Sequence, residues 1–312
     1  MDGVFLAADT RVTYSKGPGQ DIYVDQAMKV LHLAPGTAIG YVGRVETAAV
    51  LLKYVIDGRD HRERTDPISL MNWLPRVLRA AYQRVRPELR GDVAFMVGSS
   101  LAGRPMLVET TKVREILFEG VKNGLNSIVG RLPITILSSG ARFVSLTNTC
   151  AGLLYVLRSP GFELRICPPL QVAAIGSGHG VIEEVRRVHA RVLFDYSGNV
   201  GIQAYWFRQA IADFVERNDI SSVGGLYPVI RVRGNDFLCI GQSTKKFKRG
   251  TSEIEADVTL SVENGCWVQR NRVTGKEIKL ELPWNIPKNP KQDIRFDDID
   301  RRRSRKVDAG DF

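Results

Sequence analysis

The stretch "GVFLAADTR" (Gly3–Arg11) decides how the rest of the chain is read. Val4 to Ala8 form an apolar, strand-like run, and the Asp2-Gly3 dipeptide before it is a hairpin-turn signal. A hairpin turn needs a strand on each side, so a further strand is expected ahead of Asp2. Asp9, Thr10 and Arg11 close the run with polar and charged groups where the strand should end.

Working outward, "VTYSKGPGQDIYV" (12–24) predicts two short strands around a Gly/Pro turn. "KVLHLAPGTAIGYVG" (29–43) predicts two apolar strands, 29–33 and 37–42, around Pro35-Gly36. Beyond Gly43 the spacing turns helical, with Ala48, Leu51, Leu52 and Val55 on one stripe. A second helix is expected from Pro67, with Asp66 as its N-cap and Pro75 kinking or dividing it. Strands follow in "DVAFMVGSS" (92–100) and "RPMLVETT" (104–111), and 112–136 reads as a helix broken by glycines. "LLYVLRSPGFELRICPPLQVAAIGSG" (153–178) predicts a hairpin ending at a glycine-flanked serine. Helices over about 179–195 and 200–217 come next, then strands in "LYPVIRVRG" and "DFLCIG".

The remaining segment differs in kind. "ADVTLSV", "GCWVQRN" and "KEIKLEL" predict a small β meander within 243–287, and the charge-rich composition from 288 to 312 predicts a disordered tail. The implied organisation is one domain over 1–242 with an insertion at about 103–150, a β-rich extension, and the tail. Strands first, helical segments, strands again, then helices and closing strands fit an α+β fold with helices on both faces of stacked antiparallel sheets.

Composition excludes several function classes. The 312 residues are 44% hydrophobic, yet no run is long enough to cross a bilayer and no signal peptide is visible. Cys150, Cys167, Cys239 and Cys266 are scattered without a CxxC pair, and the four histidines are equally dispersed, so neither a metal site nor a cofactor is expected. Reduced thiols and a cytoplasmic location follow. The net charge of +10 owes much to "KKFKR" (245–249) and "RRRSRK" (301–306). Without interleaved aromatics or a groove-binding motif, a solvated basic tail is the simpler reading than nucleic-acid binding.

The pieces in order, "GVFLAADTR", "AMKVLHL", "AIGYVG", "AAIGSGHG" and "NDISSVGGLYPVIRV", resemble a proteasome β-type subunit of the N-terminal nucleophile (Ntn) hydrolases. The resemblance covers about 1–100 and 153–242 and implies a four-layer α-β-β-α sandwich. By the same resemblance, Asp9 is the acid that holds the catalytic Lys29, and Gly43 carries the backbone N–H of the oxyanion hole. Ser177, Asp219 and Ser221 or Ser222 surround the nucleophile's α-amino end; "SSVGG" is one residue longer than the usual spacing, which leaves the serine open. Thr13, Tyr41 and Val45 are implied to line the substrate pocket.

The family's nucleophile is an N-terminal threonine on the strand before the Asp2-Gly3 turn, and no threonine precedes Thr10 in this chain. The implied reaction is peptide-bond hydrolysis through an acyl-enzyme ester, with the α-amine as base and the glycine N–H stabilising the oxyanion. Homo-oligomeric rings, a peptide or unfolded-protein substrate and an ATP-driven unfoldase are the implied partners. Two alternatives stand beside it: a catalytically inactive scaffold subunit of the same fold, and a nucleic-acid-associated protein using its basic tail.

Overall fold

In the computed structural model, the described residues are 4–58, 67–100, 106–109, 134–136, 142–146, 152–167, 172–187, 200–234, 236–240, 244–248, 251–255, 258–263, 266–271 and 275–295. They form a mixed α+β structure in which every pairing between named strands is antiparallel.

The core is divided by the parity of residues along the central strands. These are β4 (Val30–Ala34), β5 (Thr37–Gly43), β6 (Val93–Ser100) and β10 (Gly152–Arg158), and β11 (Arg165–Cys167) completes a five-stranded sheet of order β11-β10-β6-β5-β4. Successive side chains on a strand point to opposite faces. Leu31, Ile39, Tyr41, Phe95, Val97, Tyr155 and Leu157 therefore share one face and pack against helices α1 (Val45–Asp57) and α2 (Pro67–Arg84). The helices answer with Leu51, Leu52 and Val55 and with Leu70, Leu74 and Leu78, the i, i+4 stripe of an amphipathic helix.

Val30 and Ala38, one residue out of phase, face the other way. They meet Leu6 of β1 (Val4–Ala7) and Ile230 and Val232 of β12 (Val229–Arg233). β1, β12 and β13 (Asp236–Ile240) make a second sheet of that order, so β1 lies at its edge among the described strands. The two sheets approach closely at Gly98, where a Cβ would lie 2.7 Å from Val4 and 2.8 Å from Leu6. On the far side of the second sheet, Phe5 stacks on Phe207 of α3 (Val200–Arg217) with centroids 6.1 Å apart.

α2 runs undivided from Pro67 to Arg84 with Pro75 inside it, which removes the division that was one of the two outcomes expected at that proline. Buried leucines on both sides of the proline, Leu70, Leu74 and Leu78, hold the two halves on the same core. The helix expected over 179–195 begins instead with a 3₁₀ turn, Gly176–Val181, and continues as helix over 182–187; residues 188–199 lie outside the described residues.

Within the insertion, β7 (Met106–Glu109), β8 (Ile134–Ile136) and β9 (Arg142–Leu146) form a separate sheet of order β7-β9-β8. β8 falls where the glycine-broken helix was expected to end, and residues 110–133 lie outside the described residues. After β13 come a hairpin, β14 (Thr244–Lys248) with β15 (Thr251–Glu255), and a meander of β16 (Val258–Glu263), β17 (Cys266–Asn271) and β18 (Glu277–Lys279).

The chain then runs as a strap over 280–295 against the hairpin of β2 (Val12–Ser15) and β3 (Asp21–Val24). A disordered tail was expected from 288, but Pro290 is buried and the Ile294 N–H donates to the Tyr23 carbonyl at 2.9 Å. Backbone pairing with a distant hairpin outweighs the local polar composition there. Residues 296–312 lie outside the described residues.

Candidate active site

β1 ends at Ala7, and Asp9, Thr10 and Arg11 just beyond it carry the polar groups of the site. Asp9 accepts a 2.7 Å hydrogen bond on Oδ1 from Lys29 Nζ, both side chains being nearly buried at 11% and 13% exposure. Lys29 stands directly before β4, so the strand register aims its ammonium group back at the β1–β2 connection. The other oxygen of Asp9 lies 3.4 Å from the Gly224 N–H.

That last contact belongs to a set that fastens the "DISSVGGL" loop to Asp9–Arg11. Thr10 N–H donates to the Gly224 carbonyl at 3.2 Å, and the Leu226 N–H donates to Thr10 Oγ1 at 3.0 Å. Arg11 grips Asp25 with two parallel bonds, Nε to Oδ1 at 2.7 Å and Nη2 to Oδ2 at 3.0 Å, and donates a third to the Ser221 carbonyl at 3.1 Å. Gly225, at φ +75°, has Thr10 Oγ1 and Asp25 where a side chain would start, so this close approach requires glycine.

Gly43 ends β5 in the left-handed region, at φ +99°, and is solvent-exposed. A Cβ there would overlap the Asp92 carbonyl, which accepts the Arg44 N–H at 2.9 Å. Sterics alone therefore demand glycine at this strand end, whatever its N–H does in chemistry. Ser177 lies in the exposed 3₁₀ turn, and the preceding Gly176 abuts Val42, since a Cβ on it would be 3.1 Å from that side chain. The "GSG" turn is thereby set beside the strand end that carries Gly43.

Asp219 and Ser222 are exposed on the loop after α3, Asp219 with φ +49°. Among the described residues no hydrogen bond joins the side chains of Ser177, Asp219 or Ser222 to Lys29 or Asp9. Ser221 differs from Ser222 in that its carbonyl is taken by Arg11.

The three residues assigned to a substrate pocket separate. Tyr41 is 2% exposed, on the helix-facing side of the sheet, and its hydroxyl has no hydrogen-bond partner. Burial, followed by the charge of Asp9 and the Tyr14 phenol, pushes its pKa far above the ordinary tyrosine value. Thr13 on β2 is half-buried with an unpartnered hydroxyl. Val45 opens α1 and packs with Val12, Ala27, Tyr14 and Ile286.

No protein-family model matches the chain, and no curated protein matches its sequence.

What the site can do follows from its geometry. A nearly buried ammonium group, held by one carboxylate oxygen, keeps donors available to a neighbouring oxyanion or amine. Beside it stand an exposed glycine strand end and a loop rich in backbone donors. Among the described residues no three His, Cys, Asp or Glu side chains converge as a metal site would require, and no helix is long and apolar enough to cross a membrane. Arg11, Asp25 and Thr10 are the site residues that sequence reading missed as a unit. An arginine two positions after an acid at a strand end was the available signal, but Asp25, fourteen residues away, carries none of its own.

Proposed function

We propose that the chain is a proteasome-like Ntn hydrolase subunit, built as the α-β-β-α sandwich of that class, whose reaction is hydrolysis of a peptide bond. The observation that carries this reading is the nearly buried Lys29–Asp9 pair, at 2.7 Å, with the 219–226 loop laced to it. The stacking of α1 and α2 on one sheet, and of α3 on the other, supports the layered architecture.

The nucleophile is a threonine at the free end of a strand ahead of Asp2. β1 pairs only with β12 among the described strands, which leaves its outer edge open for such a strand. Paired there, the strand would run antiparallel to β1 and return its first residue toward Asp9 and Lys29. The threonine hydroxyl attacks the scissile carbonyl while its own α-amine takes the proton. The Gly43 N–H steadies the oxyanion and Lys29 lowers the cost of negative charge beside it. The intermediate then collapses as the α-ammonium returns the proton to the departing amine, and water hydrolyses the remaining ester to free the threonine.

N-terminal sequencing of the protein purified from its native source, paired with hydrolysis of fluorogenic peptides, tests the reading. Threonine is expected as the first residue, with activity abolished by Lys29→Ala. Full activity in a folded Lys29→Ala protein would overturn it.

A further inference from the structure

The strap behaves unlike the strands around it. It touches the 23–28 segment at two separated points, with parallel bridges at Ala27–Glu281 and Val24–Ile294. At the first, the Glu281 N–H donates to the Gln26 carbonyl at 2.6 Å and the Met28 N–H to the Glu281 carbonyl at 2.9 Å. At the second, Ile294 N–H reaches the Tyr23 carbonyl at 2.9 Å, and the Asp25 N–H reaches the Ile294 carbonyl at 2.7 Å.

Between these points the chain carries Pro283, Pro287 and Pro290, which have no N–H to give a ladder. It is held instead through its carbonyls and a few anchors. Tyr14 donates to the Pro287 carbonyl, and Lys16 Nζ donates to the Pro290 carbonyl at 3.1 Å. Ile286, 5% exposed, is the aliphatic anchor and lies against Val12, Ala27, Tyr14 and Val45. Leu282, Asn285, Lys288, Asn289 and residues 291–293 remain exposed.

The place this anchor fills is next to the site. Val45 is two residues beyond Gly43, and Ala27 is two residues before Lys29. In the apolar cluster formed by a strand, a helix N-terminus and the lysine-bearing segment, the aliphatic position is taken by the chain itself. The occupant is proline-rich, so ordering it costs less conformational entropy than an ordinary loop. Besides its two short pairings and the contacts of Tyr14, Lys16 and Ile286, it is held by Trp284 against the main core and by the buried Pro283 and Pro290.

We propose that residues 281–294 are an intramolecular occupant of a polypeptide-binding cleft, and that its ligand in trans is a polypeptide segment that places an aliphatic side chain where Ile286 sits. While seated, the strap excludes such a segment from the Lys29–Asp9 site. This names the ligand of the site proposed above, but the binding itself needs no hydrolysis.

The probe is a fluorescein-labelled peptide copying residues 280–294, "LELPWNIPKNPKQDI", titrated by anisotropy into the full chain and into full-chain Ile286→Asp. The tethered strap competes at high effective concentration, so the variant should bind at least about tenfold more tightly than the wild type. A probe carrying the same Ile→Asp change should lose that gain. A folded Ile286→Asp chain that binds no better than the wild type overturns the proposal.

Hydrogen exchange on the wild type decides the matter even if that variant fails to fold. The Met28, Glu281 and Ile294 amides should exchange together and at least about tenfold faster than the Tyr41 amide of β5. Exchange as slow as that of β5 would make the strap a fixed part of the fold. A chain that binds the probe yet never hydrolyses a peptide with its native N-terminus would defeat the catalytic reading alone.

Discussion

Two ion pairs flank Thr10, one buried and one nearly so, and they are built differently. Arg11, at 8% exposure, donates two parallel hydrogen bonds to Asp25, at 0%, and a further guanidinium N–H to the Ser221 carbonyl. Lys29 and Asp9 share a single contact, and the second oxygen of Asp9 has only a long approach from the Gly224 N–H. A bidentate, fully engaged arginine fixes geometry; a lysine with one contact keeps donors for something else. The first pair is a lock for the 219–226 loop, and the second is the part of the site able to do chemistry.

Breaking the lock should give the largest effect. Arg11→Ala leaves the Asp25 carboxylate buried without its main donor and frees the Ser221 carbonyl, at a cost of roughly 3–5 kcal/mol. The urea midpoint should fall accordingly. Arg11→Lys should recover only a minor part, because an ammonium group cannot make the paired contact.

Lys29→Met should cost less, about 1–3 kcal/mol, since the Asp9 carboxylate keeps some solvent contact and the Gly224 N–H. Adding Asp9→Leu removes the orphaned charge and should return most of that stability in the same urea titration. Peptide hydrolysis by the protein with its native N-terminus should stay lost in both. The corresponding double change at Arg11 and Asp25 should not recover, because Ser221 and the loop would still lack their donor. Recovery there would erase the distinction between the two pairs.

Much of this arrangement is legible in the sequence, because local patterns govern it. The apolar run after Gly3, the two strands around Pro35-Gly36 and the helical stripe of Leu51, Leu52 and Val55 are short-range signals, and each element forms where its pattern places it. Asp9 and Lys29 meet because β1 and β4 lie in sheets packed face to face. The Arg11–Asp25 lock was hidden, since nothing near Asp25 marks it as a buried partner. Tyr41 illustrates a parity effect: one residue of phase in β5 sends it to the helix side of the sheet, deep in the core. The part of the strap beyond 287 was misread because its prolines and charges resemble a disordered tail. The strap's order comes from two backbone pairings, from carbonyls that accept from Tyr14 and Lys16, and from Ile286 and Trp284 packed on the core.

The strap also gives the smallest prediction, which extends the contrast between locked and releasable contacts. Tyr14 donates its phenolic proton to the Pro287 carbonyl, and burial, then the nearby Glu46, pushes its pKa up to about 12 from 10.0. A tyrosine with a raised folded-state pKa contributes stability that is complete below the unfolded value and is lost as pH rises through the folded one. The window is therefore about pH 10 to 12, and the contribution is small because the phenol is only half-buried. Across that window the urea midpoint should fall slightly as the resident strap loosens. In Tyr14→Phe the phenolic donor is absent at every pH, so the midpoint should start lower and show no such alkaline fall. An identical alkaline fall in Tyr14→Phe would assign it to other groups and leave the strap's hold to its backbone pairings, Lys16, Trp284 and Ile286.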